Sequence, residues 1–165
     1  IRATAVPPLW GGVSNGTLEG CTALSADQMV TPTDASVTLD AASGNPTKCV
    51  KWSGASAGQE AQFTGVSGAP GRSHMLGFDA KKGTVDTTRL DIYVVLKQDG
   101  TERVLRLTSA TDRTAATFRP PLLTTSWQRF YKPFYVPTWA KLASIRFQII
   151  EAKEAYLDNV QLAVC

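Results

Sequence analysis

The chain is poor in the residues on which most catalytic and metal chemistry is built. It has one histidine, His74, and three cysteines, Cys21, Cys49 and Cys165. A lone histidine gives a metal-hydrolase site or a triad little to be assembled from, and neither a Gly-x-Ser-x-Gly elbow nor a phosphate-binding loop is present. His74 reads instead as a half-buried strand residue. The cysteines have neither the close pairing nor the nearby histidines of a zinc site. Charge of one sign is scarce as well. Seventeen basic and fourteen acidic residues leave a net +3, with Lys81-Lys82 the densest basic pair, which is too weak and diffuse for nucleic acid or an anionic membrane. No apolar run approaches the roughly 20 residues of a membrane helix, and the opening IRATAVPPLW lacks the layout of a signal peptide. The expectation is a soluble chain, already processed or cut from a longer protein. A helical hydrophobic period is almost absent too.

What is present is alternation. At 165 residues and 43% apolar content, residues 1–165 are expected to form a single domain that buries roughly 70% of its extended-chain surface. Short runs with apolar residues at every second position are cut by turns, as half-buried antiparallel strands require. A first strand is expected near Val13 or Thr17, then SVTLD (36–40), CVKWS (49–53), GQEAQFTGV (58–66) and SHMLGFDAK (73–81). The run from Leu90 to Leu96 puts Leu90, Ile92, Val94 and Leu96 inward and Asp91, Tyr93, Val95 and Lys97 outward. Gln98-Asp99-Gly100-Thr101 turns it into Arg103 to Thr108 as a hairpin. A strand from Trp127 stops at Pro137, another carries Ile145, Phe147 and Ile149, and the last alternates at Tyr156, Asp158, Val160, Leu162 and Val164. Asp158 is the oddity, an acid where that pattern calls for an aliphatic. Eight or more short strands at this spacing predict an all-β, antiparallel two-sheet β-sandwich.

The candidate site residues follow from which face each strand turns outward. Tyr93 projects from the side opposite Leu90, Ile92, Val94 and Leu96, and Arg106, Arg146 and Gln148 are polar positions that can flank it. Such a face is either an ordinary solvated sheet or a binding cleft. Trp52, just before Gly54, and Trp139, after Pro137, are candidate platforms because a tryptophan in a Gly- or Pro-flanked loop has little core to fill. Trp127, Phe130 and Phe134 read as core. Glu60, Asp79, Asp91 and Glu151 have no spacing that pairs them. With Gly, Ser, Thr and Ala abundant, an extracellular origin with one disulfide is expected. Cys21 to Cys49 would close about 28 residues and contribute on the order of 3.5 kcal/mol, while Cys165 can pair with either.

NGTLEG (15–20), CVKWSG (49–54), GAPGRSHMLGFDAK (68–81), SWQRFYKPFYVP (126–137) and AYLDNVQL (155–162), in that order, resemble the β-jelly-roll carbohydrate-binding modules of families four, nine, sixteen and twenty-two. The likeness runs from about Asn15 to Val164, with Leu18 in place of the usual Phe and Asn159 in place of the second Asp. It implies a jelly roll that binds polysaccharide or oligosaccharide without catalysis, secreted, monomeric and open to fusion with a catalytic domain. It further implies that Glu19 and Asp158 meet and hold a structural Ca2+, with Thr17 and Lys48 as carbonyl donors. Two carboxylates brought together repel unless a hard cation takes their oxygens. Two other functions stay in view: a structural or adhesive jelly roll of a surface or phage appendage, and a small polysaccharide lyase or hydrolase.

Overall fold

The computed structural model describes residues 9–10, 12–53, 57–83, 89–107, 123–150 and 154–165. Their strands are β1 (Leu9–Trp10), β2 (Val30–Pro32), β3 (Val37–Asp40), β4 (Cys49–Trp52), β5 (Glu60–Phe63), β6 (Arg72–Lys82), β7 (Leu90–Gln98), β8 (Thr101–Arg106), β9 (Gln128–Val136), β10 (Lys141–Ile149) and β11 (Ala155–Val164). They build two antiparallel sheets. One runs β3-β4-β11-β6-β9 with β1 added beside β11, and the other runs β2-β5-β10-β7-β8. Every strand neighbour within a sheet is antiparallel. This is the two-sheet sandwich that the alternation predicts. The continuation of the hairpin to Thr108, and Glu151, lie outside the described residues.

The core is the sum of the inward positions. Leu90, Ile92 and Val94 of β7 and Ile145, Phe147 and Ile149 of β10 are fully buried against Leu76, Phe78, Val50 and Leu157 of the other sheet. Phe147 meets Phe63 edge-on at 5.7 Å within its sheet and Phe78 edge-on at 5.1 Å across the sandwich. The tight β7–β8 hairpin needs positive φ at both central residues, and Asp99 (φ 49°) and Gly100 (φ 80°) supply it.

Four local expectations are corrected. Residues 14–17 form turns rather than a first strand, and Val13 makes only an isolated bridge to Val66. Trp127 is half-buried and outside the core, with the Lys81 ammonium 5.0 Å from its ring centroid. All three cysteines are free thiols. Cys21 belongs to the core cluster, whereas Cys49 alternates with the inward Val50 and Trp52 and so points to the opposite face of β4. Finally, β11 holds a bulge. Asp158 pairs with Asp79 but Gln161 with Gly77, so one extra residue lies on β11, and Asn159 takes φ 47° there. Leu157 points inward before the bulge, and Val160 and Leu162 after it. Asp158 therefore lies on the outer face with Tyr156 and never occupies the aliphatic position that unbroken alternation assigns it.

Candidate functional site

The outer face of the five-stranded sheet gathers the polar residues expected there. Arg146 of β10 sits opposite Gln62 of β5 on one side and Tyr93 of β7 on the other, and Tyr93 in turn faces Arg106 of β8. Gln62, Arg146, Tyr93 and Arg106 thus form one row across four strands, about 4.8 Å from strand to strand. A second row, two residues along, holds Glu60, Gln148 and Asp91.

These side chains are linked mainly to each other. The Tyr93 hydroxyl lies 2.9 Å from Asp91 Oδ2 and 3.1 Å from Gln148 Oε1, so its one proton has two acceptors to choose from. Gln148 Nε2 donates to Glu60 Oε1 at 3.3 Å and to the Gly58 carbonyl at 3.2 Å. Gln62 Nε2 donates to Glu60 Oε2 at 2.9 Å. Arg106 forms an ion pair with Asp91, which is 1% exposed, and its guanidinium carbon stands 5.7 Å from the Tyr93 ring centroid. Burial, then the bond to Asp91, raises the Tyr93 phenol above its usual range, so it remains a donor. Arg146 pairs loosely with Glu102 at 3.7 Å, and its Nε is a buried donor without a partner. The arrangement offers an aromatic ring, planar amide and guanidinium donors, and one N–H that lacks an acceptor. That mixture matches the C–H faces and hydroxyls of a sugar.

Other expected residues are placed elsewhere. Trp52 is no platform: it is an inward residue of β4, 0% exposed, with its indole N–H on the Gln59 carbonyl at 3.0 Å. Its position in a strand, not a loop, is what buries it. Trp139 is 53% exposed in the β9–β10 connection, near Arg103 (5.9 Å from ring centroid to guanidinium carbon) rather than in the Tyr93 row. His74 is buried in β6 of the other sheet, stacked on Phe134 at 5.3 Å. Gln62 was not singled out from sequence, and Glu60 and Asp91 were read only as carboxylates with no spacing to pair them. Gln62 and Glu60 alternate with inward Ala61 and Phe63, a signal that a four-residue strand shows only faintly.

Glu19 and Asp158 grip the same loop. Glu19 Oε1 accepts from the amides of Thr47 and Lys48 at 3.3 and 3.0 Å. Asp158 Oδ2 accepts from the Asn45 amide at 2.7 Å and Oδ1 from the Asn159 amide at 2.6 Å. Burial pushes the Asp158 carboxyl up to about 7; the two amides pull it down, and the charges of Glu19 and Asp79 push it up again. A carboxyl raised by burial and by two like charges is where a cation lowers the energy. Among the described residues no three His, Cys, Asp or Glu side chains converge as a metal site, so a calcium ion here would take its other oxygens from main chain. The oxygen-only donor set fits that ion. Thr17 is exposed beside Glu19, while the Lys48 ammonium already takes the carbonyls of Glu19 and Cys21 at 3.0 and 2.8 Å. Missed by sequence reading is the network next to it. Asn159 Nδ2 donates to Asp79 Oδ2 and to the Asn45 carbonyl, both at 2.7 Å, and Arg129 binds Asp79, the Asn159 carbonyl and Gln161.

No family model and no curated protein matches the chain. Solved structures do. The C-terminal family 22 carbohydrate-binding module of Clostridium thermocellum Xyn10B is 15% identical, with 93% of each chain covered and a TM-score of 0.65. The chain shares the fold of that module. The N-terminal CBM22-1-GH10 modules of C. thermocellum endo-1,4-beta-D-xylanase 10B, complexed with xylohexaose, are similar at 13% identity over 83% of this chain, TM-score 0.66; the chain spans about a quarter of that one, 26%. The enzymatically active domain of tailspike protein 4 of bacteriophage CBA120 is similar at 24% identity over 93% of this chain and 21% of its own, TM-score 0.61.

Proposed function

We propose that the chain is a non-catalytic polysaccharide-binding module, with the outer face of β5, β10, β7 and β8 as its cleft. The observation that carries this reading is the row Gln62–Arg146–Tyr93–Arg106 with the buried, unpartnered Arg146 Nε at its centre. A buried donor left unmade costs about 1 to 3 kcal/mol, and a sugar oxygen over Tyr93 recovers it once the side chains covering Arg146 Nε shift aside. The fold shared with xylan-binding modules supports the same reading, and the only histidine lies in the core of the other sheet. Guanidinium and carboxylate charges on the face offset one another through the Arg106–Asp91 and Arg146–Glu102 pairs, which favours a neutral glycan chain. The likeness to a module joined to a GH10 domain supports fusion to a secreted enzyme, and with it an extracellular, monomeric role. Glu19 and Asp158, with main-chain oxygens at Thr17 and Lys48, hold a structural calcium that fastens loop 45–48 to the last strand. A chelator should then lower Tm and added calcium restore it, since a ligand of the native state stabilises by mass action.

Affinity electrophoresis against xylan, cellulose and mannan tests the cleft. Tyr93→Ala should weaken binding by about 1 to 3 kcal/mol at nearly unchanged stability. Parent-like binding by that variant rules the cleft out. The tailspike likeness favours a second reading, a structural or adhesive jelly roll, which predicts no glycan binding by the parent at all.

A further inference from the structure

Strand β9 carries aromatic side chains on both of its faces, and the core accounts for only one set. Phe130 stacks on Phe78 at 5.4 Å and Phe134 on His74 at 5.3 Å, both inward. On the other face Trp127, Tyr131 and Tyr135 recur at every fourth residue, with Arg129 and Pro133 between them. At about 3.3 Å per strand residue, successive rings stand roughly 13 Å apart in a line. Tyr131 is 55% and Tyr135 52% exposed. β9 ends the path β3-β4-β11-β6-β9, which makes the line an edge feature.

We propose that this line is a second glycan-binding surface, taking a linear polysaccharide laid along β9 on the sheet that faces away from the cleft. A protein partner is met by anchors clustered in one desolvated centre. Here the rings are separated along the strand, with Arg129 between the first two and Pro133, opposite Met75 of β6, between the last two. Arg129 is held rigid: its Nη1 donates to the Asn159 carbonyl at 2.7 Å and its Nη2 to Gln161 Oε1 at 2.6 Å, while the guanidinium carbon stands 5.5 Å from the Tyr131 ring centroid. It acts as a positioning residue for that ring. A long chain that repeats the same apolar sugar face meets each ring in turn, and several weak contacts on one chain add through effective concentration. A short oligosaccharide meets too few rings to hold there and is taken first by the cleft, where more groups converge. The surface therefore serves insoluble or long substrate and leaves short ligands to the cleft; the glycan class rests on the proposed function, the location does not.

The test uses the parent, Tyr93→Ala, Tyr131→Ala/Tyr135→Ala and Tyr131→Phe/Tyr135→Phe, each with Tm measured. Adsorption to insoluble xylan, cellulose and mannan is compared with calorimetric titration by the matching soluble hexaoses. The double alanine variant should lose about tenfold in adsorption, or ~1.4 kcal/mol, with hexaose affinity held within about twofold. The double phenylalanine variant should adsorb like the parent, and Tyr93→Ala should lose hexaose binding. If the double alanine variant adsorbs like the parent while Tyr93→Ala does not, the β9 surface is overturned and the cleft stands. If Tyr93→Ala binds normally and the double variant does not adsorb, the cleft falls and the β9 surface stands. A parent that binds none of the glycans overturns both. A parent that sediments as a dimer, and a double alanine variant that sediments as a monomer, would make the strip a self-interface and overturn the inference.

Discussion

The outer face of the five-stranded sheet and the Glu19–Asp158 corner of the other sheet hold their polar groups in opposite ways. On the five-stranded sheet, Tyr93, Gln148, Glu60, Gln62, Arg106 and Arg146 are tied largely side chain to side chain across neighbouring strands. On the six-stranded sheet, Asp158 and Glu19 are tied to main-chain amides of residues 45, 47, 48 and 159. A side-chain link can be exchanged for a ligand link at the cost of a rotamer change. A carboxylate that satisfies two amides cannot leave without unpairing backbone. The first face is therefore built to change partners and the second to hold loop and strand together.

The largest expected effect comes from the core that both faces share. Trp52→Ala should cost about 3 to 5 kcal/mol in denaturant unfolding, and a loss below about 1 kcal/mol would mean that Trp52 is not the packed inward residue of β4. The next variant contrasts the faces directly. Asp158→Ala strands the amides of Asn45 and Asn159 and should cost about 1 to 3 kcal/mol, whereas Glu60→Ala on the cleft face should stay within about 0.5 kcal/mol. Equal losses would erase the distinction.

A smaller effect is pH-dependent. His74 Nε2 accepts from the Ala69 amide at 3.0 Å and its Nδ1 lies 2.9 Å from the Arg72 carbonyl, so the neutral Nδ1–H tautomer satisfies both neighbours. Burial first, with the nearby Arg72 charge against it too, holds the imidazole below its usual 6.5. The unfolded chain thus takes up the proton first as pH falls. The contribution of His74 is complete above 6.5 and shrinks on the acid side. The Tm gap between the parent and His74→Gln should narrow from about pH 7.5 to about pH 5. The raised Asp158 carboxyl slopes the other way in both proteins and cancels in that difference. A constant or widening gap contradicts the tautomer assignment. The smallest effect is at Trp139, where replacement by alanine should change stability by no more than about 0.5 kcal/mol.

Legibility from sequence followed the regularity of the strands. β7 and β10 are nine-residue strands whose alternation is clean around Tyr93 and Arg146, so the outward row could be read directly, and register then set it side by side. The misreadings share a different cause. Asp158 was assigned the wrong face because a bulge of one residue reverses the alternation, and Trp52 the wrong environment because Gly54 resembles a loop signal although the strand reaches Trp52 itself. Trp127 lies one residue ahead of β9, on the side away from Phe130 and Phe134. Cys21 and Cys49 are close enough in sequence to suggest a loop, but Cys21 lies in a connection outside the strands and Cys49 on the outer side of β4, which spacing alone does not encode. The knot of Asn45, Asp79, Arg129 and Asn159 joins residues up to 114 positions apart, which no local pattern encodes.

The most direct test of the central claim is amide chemical-shift mapping of the parent during titration with a bound hexaose, with xylohexaose as the first probe. The account predicts shifts concentrated at residues 60–62, 91–95, 103–106 and 144–148, and an Arg146 Nε–H resonance that moves as it gains an acceptor. Shifts gathered instead at residues 45–48, 79 and 158–161, with the Tyr93 row and Arg146 Nε silent, would contradict it.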